Sequence, residues 1–162
     1  MKHLLSAVFA AALTVQTASA SEFILGLGYD DITNNTDSGA QALVFELHAD
    51  PFVDQDGWQF GVGAAAQIDT DSDVFVGLGF YANYDINDRW FAEASFMPGL
   101  YKAGSGGSDL GGDILFRSLI GVGYRLSETR SLSLALDHKS NNSFNSVNPG
   151  SETLTLRIHQ SF

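Results

Sequence analysis

The stretch with the clearest capacity for chemistry is His138-Lys139-Ser140-Asn141, with Glu152 further along the chain. A serine hydroxyl is a weak nucleophile until a base takes its proton. An imidazole supplies that base, and a carboxylate fixes the imidazole's tautomer and orientation. If this stretch is a strand, His138 and Ser140 share one face, with Cα atoms roughly 6.5 Å apart and side chains within hydrogen-bonding reach. A strand returning alongside at about 4.8 Å brings Glu152 to the histidine, provided that residues 141–150 form the hairpin loop. The chemistry implied is ester hydrolysis with Ser140 as nucleophile, His138 as base and Glu152 as orienter. The plain alternative is a solvated polar rim. One such residue fits that alternative well; three matched in parity and height fit it less well.

The elements that position these residues follow from the alternation of side chains, since residues i and i+2 of a strand share a face. Eight segments alternate, near 22–30, 39–50, 57–68, 73–85, 89–102, 111–126, 131–140 and 151–162. Most are longer than the five or six residues (roughly) usual in globular sheets, and close to the ~9–11 that cross a bilayer as tilted strands. In the third, Trp58, Phe60, Val62, Ala64, Ala66 and Ile68 oppose Gln59, Gly61, Gly63, Ala65 and Gln67. In the sixth, Ile114, Phe116, Ile120, Val122 and Tyr124 oppose Arg117, Gly121, Gly123 and Arg125. One face is apolar with aromatic ends; the other mixes glycine, hydroxyls and charge.

A soluble sandwich or lipocalin-like binder shows the same alternation with its apolar face inside. Three features favour the inverted arrangement, an all-β, eight-stranded antiparallel outer-membrane β-barrel. The first is an expected signal peptide, residues 1–20: a basic start, an apolar run from Leu4 to Val15, and the small-x-small site Ala18-Ser19-Ala20. The mature chain, residues 21–162, is expected to be one barrel domain. The second is a polar face holding Glu46, Glu93, Asp137, Arg117, Arg125 and Arg157, which suits a narrow lumen filled by ion pairs. The third is the terminal Phe162, which has the apolar parity. The apolar run is too short for a spanning helix, which needs about 20 residues.

An even strand count puts both termini in the periplasm. The connections at 51–56, 86–88 and 127–130 are then periplasmic, and those at 31–38, 69–72, 103–110 and 141–150 extracellular. His138 and Ser140 share parity with Leu132, Leu134 and Leu136, and Glu152 with Leu154, Leu156 and Ile158. All three polar groups therefore face lipid at the extracellular end, where an unpaired polar group is costly and functional by default.

The formal charge is −11. That argues against nucleic acid as a partner, since phosphate binding needs clustered cations. There is no cysteine, which excludes disulfides, thiolate metal sites and a cysteine nucleophile. Asp69-Thr70-Asp71-Ser72-Asp73 imitates the start of a calcium loop but has Val74 and Phe80 where glycine and glutamate belong. A solvated acidic loop is the expected reading, with weak divalent binding left open. The Gly-x-Gly pairs at 26/28, 61/63, 77/79 and 121/123 sit inside strands with no helix following, so they read as room for large lumen side chains rather than as nucleotide loops. His48 and His159 have lumen parity and read as polar filler.

The sequence His138-Lys139-Ser140-Asn141, followed by Asn148-Pro149-Gly150, Glu152 and an alternating terminal strand, resembles the PagL-type lipid A 3-O-deacylases. The resemblance implies an eight-stranded outer-membrane barrel with a surface Ser–His–Glu triad and no cofactor or metal. It assigns His138, Ser140 and Glu152 the roles already given and places Asn141 beside the oxyanion site. Its substrate and partner is lipid A of lipopolysaccharide in the outer leaflet of the outer membrane, with a homodimer admitted. The chain departs from the family at Asn142-Ser143, where Ala-Gly is common, so Ser143 would supply the main-chain donor in place of glycine. The competing function is a non-catalytic small barrel, serving adhesion, envelope structure or passage of small apolar molecules.

Overall fold

Glycine-, asparagine- and aspartate-rich breaks divide the chain into strands, with no helix among the described residues. The computed structural model describes residues 20–33 and 39–162. Residues 1–19, which hold most of the expected leader, and residues 34–38 of the connection expected to be extracellular lie outside the described residues. The strands are β1 (Ala20–Asp30), β2 (Ala40–Ala49), β3 (Val53–Gln55), β4 (Trp58–Asp69), β5 (Val74–Asp85), β6 (Trp90–Lys102), β7 (Ile114–Arg125), β8 (Arg130–Ser140) and β9 (Ser151–Ser161). Eight of them are long and antiparallel to both neighbours. β1 pairs with β9, and β2 pairs with β4, which closes the sheet into a cylinder. Closure removes the unpaired edges that long strands would otherwise expose.

The short β3 is an addition to the expected pattern. The segment read as a periplasmic turn folds back on β4, with Val53 opposite Phe60 and Gln55 opposite Trp58. Its cause is local. Asp56 and Gly57 both have positive φ (53° and 79°), the type I′ geometry that an Asp-Gly pair favours between two strands. The sixth expected segment is shorter than read, because Gly111 and Gly112 stay outside β7.

The cylinder is inside out relative to a soluble core. Leu78 is 70% exposed, Ile120 68% and Leu156 60%, whereas Arg117 and Arg157 are fully buried. Charge on the lipid side of such a wall costs roughly 2–4 kcal/mol at mid-membrane. Inside, the same groups compensate one another. Glu46 pairs with Arg117 and Arg157, each at 2.8 Å; Arg117 reaches Asp137 (3.2 Å) and Arg157 reaches Glu93 (3.1 Å). Arg125 departs from the expected lumen network. It lies at the rim that carries the chain termini, partly exposed, and pairs with Asp85. Two lumen glycines show why glycine is needed. A side chain at Gly61 would enter the Tyr81 ring, and one at Gly123 the Phe91 ring. Trp58 faces Tyr84 and Trp90 faces Tyr124 across strands, forming an aromatic belt at the strand ends nearer the chain termini.

Candidate active site

In β8 the period of two sends Asp137 and Lys139 inward and His138 and Ser140 outward. In β9 it sends Ser151 and Thr153 inward and Glu152 outward. The hairpin register places His138 directly opposite Glu152. Their side chains meet, with His138 Nδ1 2.8 Å from Glu152 Oε1. A carboxylate only accepts, so the imidazole proton sits on Nδ1 and leaves Nε2 as the basic nitrogen. The imidazole is about half exposed and the carboxylate less so.

Ser140 lies on the same face, next but one to His138 and opposite Phe116 of β7. Among the described residues it makes no hydrogen bond to His138. On that neighbouring strand, Ser118 stands opposite His138 and is exposed. It is a polar outward group that the sequence reading passed over, although its parity in β7 matches that of Phe116 and Ile120. His138 therefore has Glu152 on one flank, Ser118 on the other and Ser140 beyond it on its own strand. An aromatic group borders Ser140. Phe116 stacks on Phe96 (5.8 Å) and meets Phe144 of the last loop (5.6 Å).

The loop between β8 and β9 is shaped by Asn141. This side chain is fully buried, its Nδ2 donating to Val147 O (2.6 Å) and Leu110 O (3.0 Å). Its main-chain N–H donates to Asn148 Oδ1 at 2.9 Å. All of its N–H donors are thus engaged in fixing two loops, because the residue after an outward serine must point inward. Asn142 and Ser143 follow with φ of 53° and 60°, and Phe144 N–H closes the turn on Asn141 O (3.1 Å). Among the described residues, the main-chain N–H groups of Asn142 and Ser143 donate to no protein acceptor. Gly150, at φ 74°, lies against the imidazole. A β-carbon there would come within 2.7 Å of His138 Cε1.

Beneath the outward groups, Lys139 is bound by Asp30 (2.9 Å), Thr153 (2.5 Å), Gln67 (3.3 Å) and Asp137 (3.3 Å). That network holds β8 and β9 against β1 and β4. His48 and His159, read as filler, have partners. Both turn Nδ1 toward Glu22, at 3.1 and 3.3 Å, at the end of the barrel that carries the chain termini. The acidic loop is also structural. Asp69 Oδ1 accepts the N–H groups of Asp71 and Asp73, each at 2.9 Å. Asp73 turns inward to accept from Tyr101 OH (2.7 Å), Gly104 N–H (2.7 Å) and Ser108 N–H (3.0 Å). Among the described residues no group of acidic or histidine side chains is arranged to hold a metal ion.

The family model for PagL, lipid A 3-O-deacylase, matches residues 22–161. The chain belongs to the PagL family. By structure it is similar to the outer membrane enzyme PagL, with a TM-score of 0.65 at 16% identity, over 87% of this chain and 99% of that one. Neisserial surface protein A is similar at a TM-score of 0.55 and 14% identity, over 87% and 95% of the two chains. A de novo designed transmembrane β-barrel reaches 0.57 at 10% identity, over 89% and 98%. At such identities the structural likeness speaks for the barrel alone. No curated protein matches by sequence. Membership of the PagL family rests on the match along nearly the whole barrel.

Proposed function

We propose that the chain is a serine esterase of the outer membrane that removes the ester-linked 3-hydroxyacyl chain at position 3 of lipid A. The observation that carries this reading is the His138–Glu152 pair on the lipid-facing wall, with Ser140 beside it, in a chain of the PagL family. Ser140 Oγ attacks the ester carbonyl carbon and its proton passes to His138 Nε2. Glu152 accepts the Nδ1–H and stabilises the imidazolium. The tetrahedral intermediate places its negative charge on the former carbonyl oxygen. The unengaged N–H groups of Asn142 and Ser143 are the donors nearest in sequence to Ser140, and each well-aimed donor is worth roughly 2.7–4 kcal/mol. Collapse breaks the ester bond, and His138 returns the proton to the departing sugar hydroxyl. Water, deprotonated by His138, then releases the acyl chain from Ser140 as a 3-hydroxy fatty acid.

The location of the site selects the substrate class. The wall beneath it is leucine and isoleucine, suited to acyl chains in the membrane plane. The reading places the chain in the outer membrane, the site toward the outer leaflet, and the mature terminus at Ser21 after removal of the leader.

Mass spectrometry of lipid A from cells carrying the wild type, Ser140→Ala or Ser118→Ala tests the proposal. The wild type is expected to remove one 3-hydroxyacyl chain, Ser140→Ala none, and Ser118→Ala nearly as much as wild type. Heat-dependent gel migration verifies that each barrel is folded. Unaltered lipid A in wild-type cells, or activity surviving in Ser140→Ala, would refute the reading. Loss in Ser118→Ala with survival in Ser140→Ala would move the nucleophile to β7.

A further inference from the structure

β1 and β9 pair in regular register as far as Tyr29 opposite Leu154. Continued without change, the ladder would set Asp31 opposite Glu152. Instead Asp31 takes φ 49° and is buried, and the N–H of Ile32 donates to Glu152 O at 3.1 Å. One extra residue has entered the β1 side, as in a bulge, which re-aims the side chains that follow. Thr33 is the side chain brought round. Its hydroxyl donates to Glu152 Oε2 at 2.6 Å, at the short end of the range for O–H···O hydrogen bonds.

We infer that Thr33 is a positioning residue for Glu152, acting through the carboxylate oxygen that His138 leaves open. This rests on the esterase reading above. The terminal torsion of a glutamate is broad and roughly two-fold, so one hydrogen bond leaves the carboxylate free to swing. With Oε1 on His138 and Oε2 on Thr33, the carboxylate plane is held at both ends. The Thr33 side chain is itself stiff, because branching at Cβ restricts its first torsion. The extracellular end of the first strand thereby sets the orientation of a group on the last.

The test uses the full-length barrel with lipid A as substrate, comparing wild type with Thr33→Val, Thr33→Ser, Glu152→Ala and Thr33→Val/Glu152→Ala. Thr33→Val keeps shape but loses the donor. Its kcat is expected to fall roughly tenfold or more, the scale of a hydrogen bond to a charged group, with KM nearly unchanged. Thr33→Ser restores most of the loss. In the Glu152→Ala background Thr33→Val has no further effect, since neighbours that act through one group are not additive. Thr33 is not a positioning residue if Thr33→Val keeps its kcat, if serine fails to rescue it, or if the loss persists without Glu152. If Glu152→Ala is itself fully active, the triad reading fails along with the inference. Gel migration on heating reports folding throughout.

Discussion

On the inner face of β8 and β9 the charged groups are buried and paired: Asp137 with Arg117 and Lys139, and Lys139 with Asp30 as well. On the outer face, one residue step away, His138 is about half exposed and Ser140 makes no bond to it. The two faces share one backbone and several residue types. What separates them is charge pairing. Asp137, Lys139 and Arg157 on the inner face each lie within ion-pair distance of an opposite charge on another strand, so these groups hold strands together. Among the described residues, the outer face keeps an imidazole nitrogen, a hydroxyl and two main-chain N–H groups unengaged by protein. A site on a membrane wall needs both: a ladder made rigid from inside and donors left unspent outside.

Three substitutions break or sharpen this contrast. Arg117→Met strips Glu46 and Asp137 of a shared cation inside the lumen. Removing one partner of a buried pair costs about 3–5 kcal/mol, so urea unfolding in lipid or detergent should show a loss of that order. Deacylation per folded molecule should hold. A variant that is as stable as wild type but inactive would reverse the assignment of the two faces. Gly150→Ala acts on the outer face. The added methyl meets His138 Cε1 at 2.7 Å and sits at φ 74°. A displaced imidazole is expected to lower kcat by roughly tenfold to a hundredfold, by loss of alignment. Wild-type kinetics in this variant would mean that the imidazole can shift without cost. Ser143→Gly has the smallest effect. Ser143 occupies the left-handed region at φ 60°, which costs a residue with a β-carbon roughly 1–2 kcal/mol and glycine almost nothing. Stability is expected to rise by about 1 kcal/mol in the same unfolding measurement.

Much of this was legible in the sequence because a strand's facing depends only on parity. The outward setting of His138, Ser140 and Glu152 needed nothing beyond counting by two, and the inward setting of Arg117 and Arg157 followed likewise. Ser118 was equally readable from parity, yet a lone serine among apolar neighbours draws no attention without its cross-strand partner. The pairing of His138 with Glu152 was not fixed by parity. It depends on how many residues the loop absorbs, and that is decided by Asn141, Asn148 and two left-handed residues. Thr33 was further out of reach, since its contact requires both the meeting of β1 with β9 and an extra residue at Asp31. The partners of His48 and His159 depend on the stagger of strands around the cylinder, which no local pattern encodes. β3 was marked by its Asp-Gly turn but was too short to stand out as alternation.

The bond from Ile32 N–H to Glu152 O crosses the seam where the first and last strands join. That seam is the final join of the cylinder in chain order, with the two ends of the polypeptide on either side of it. The His138–Glu152 pair lies within the hairpin of β8 and β9, whereas the Thr33 contact with the carboxylate needs β1 and β9 to meet. The structure therefore ties the finished geometry of the outer face to the pairing of β1 with β9, so a chain still open along this seam lacks the Thr33 contact.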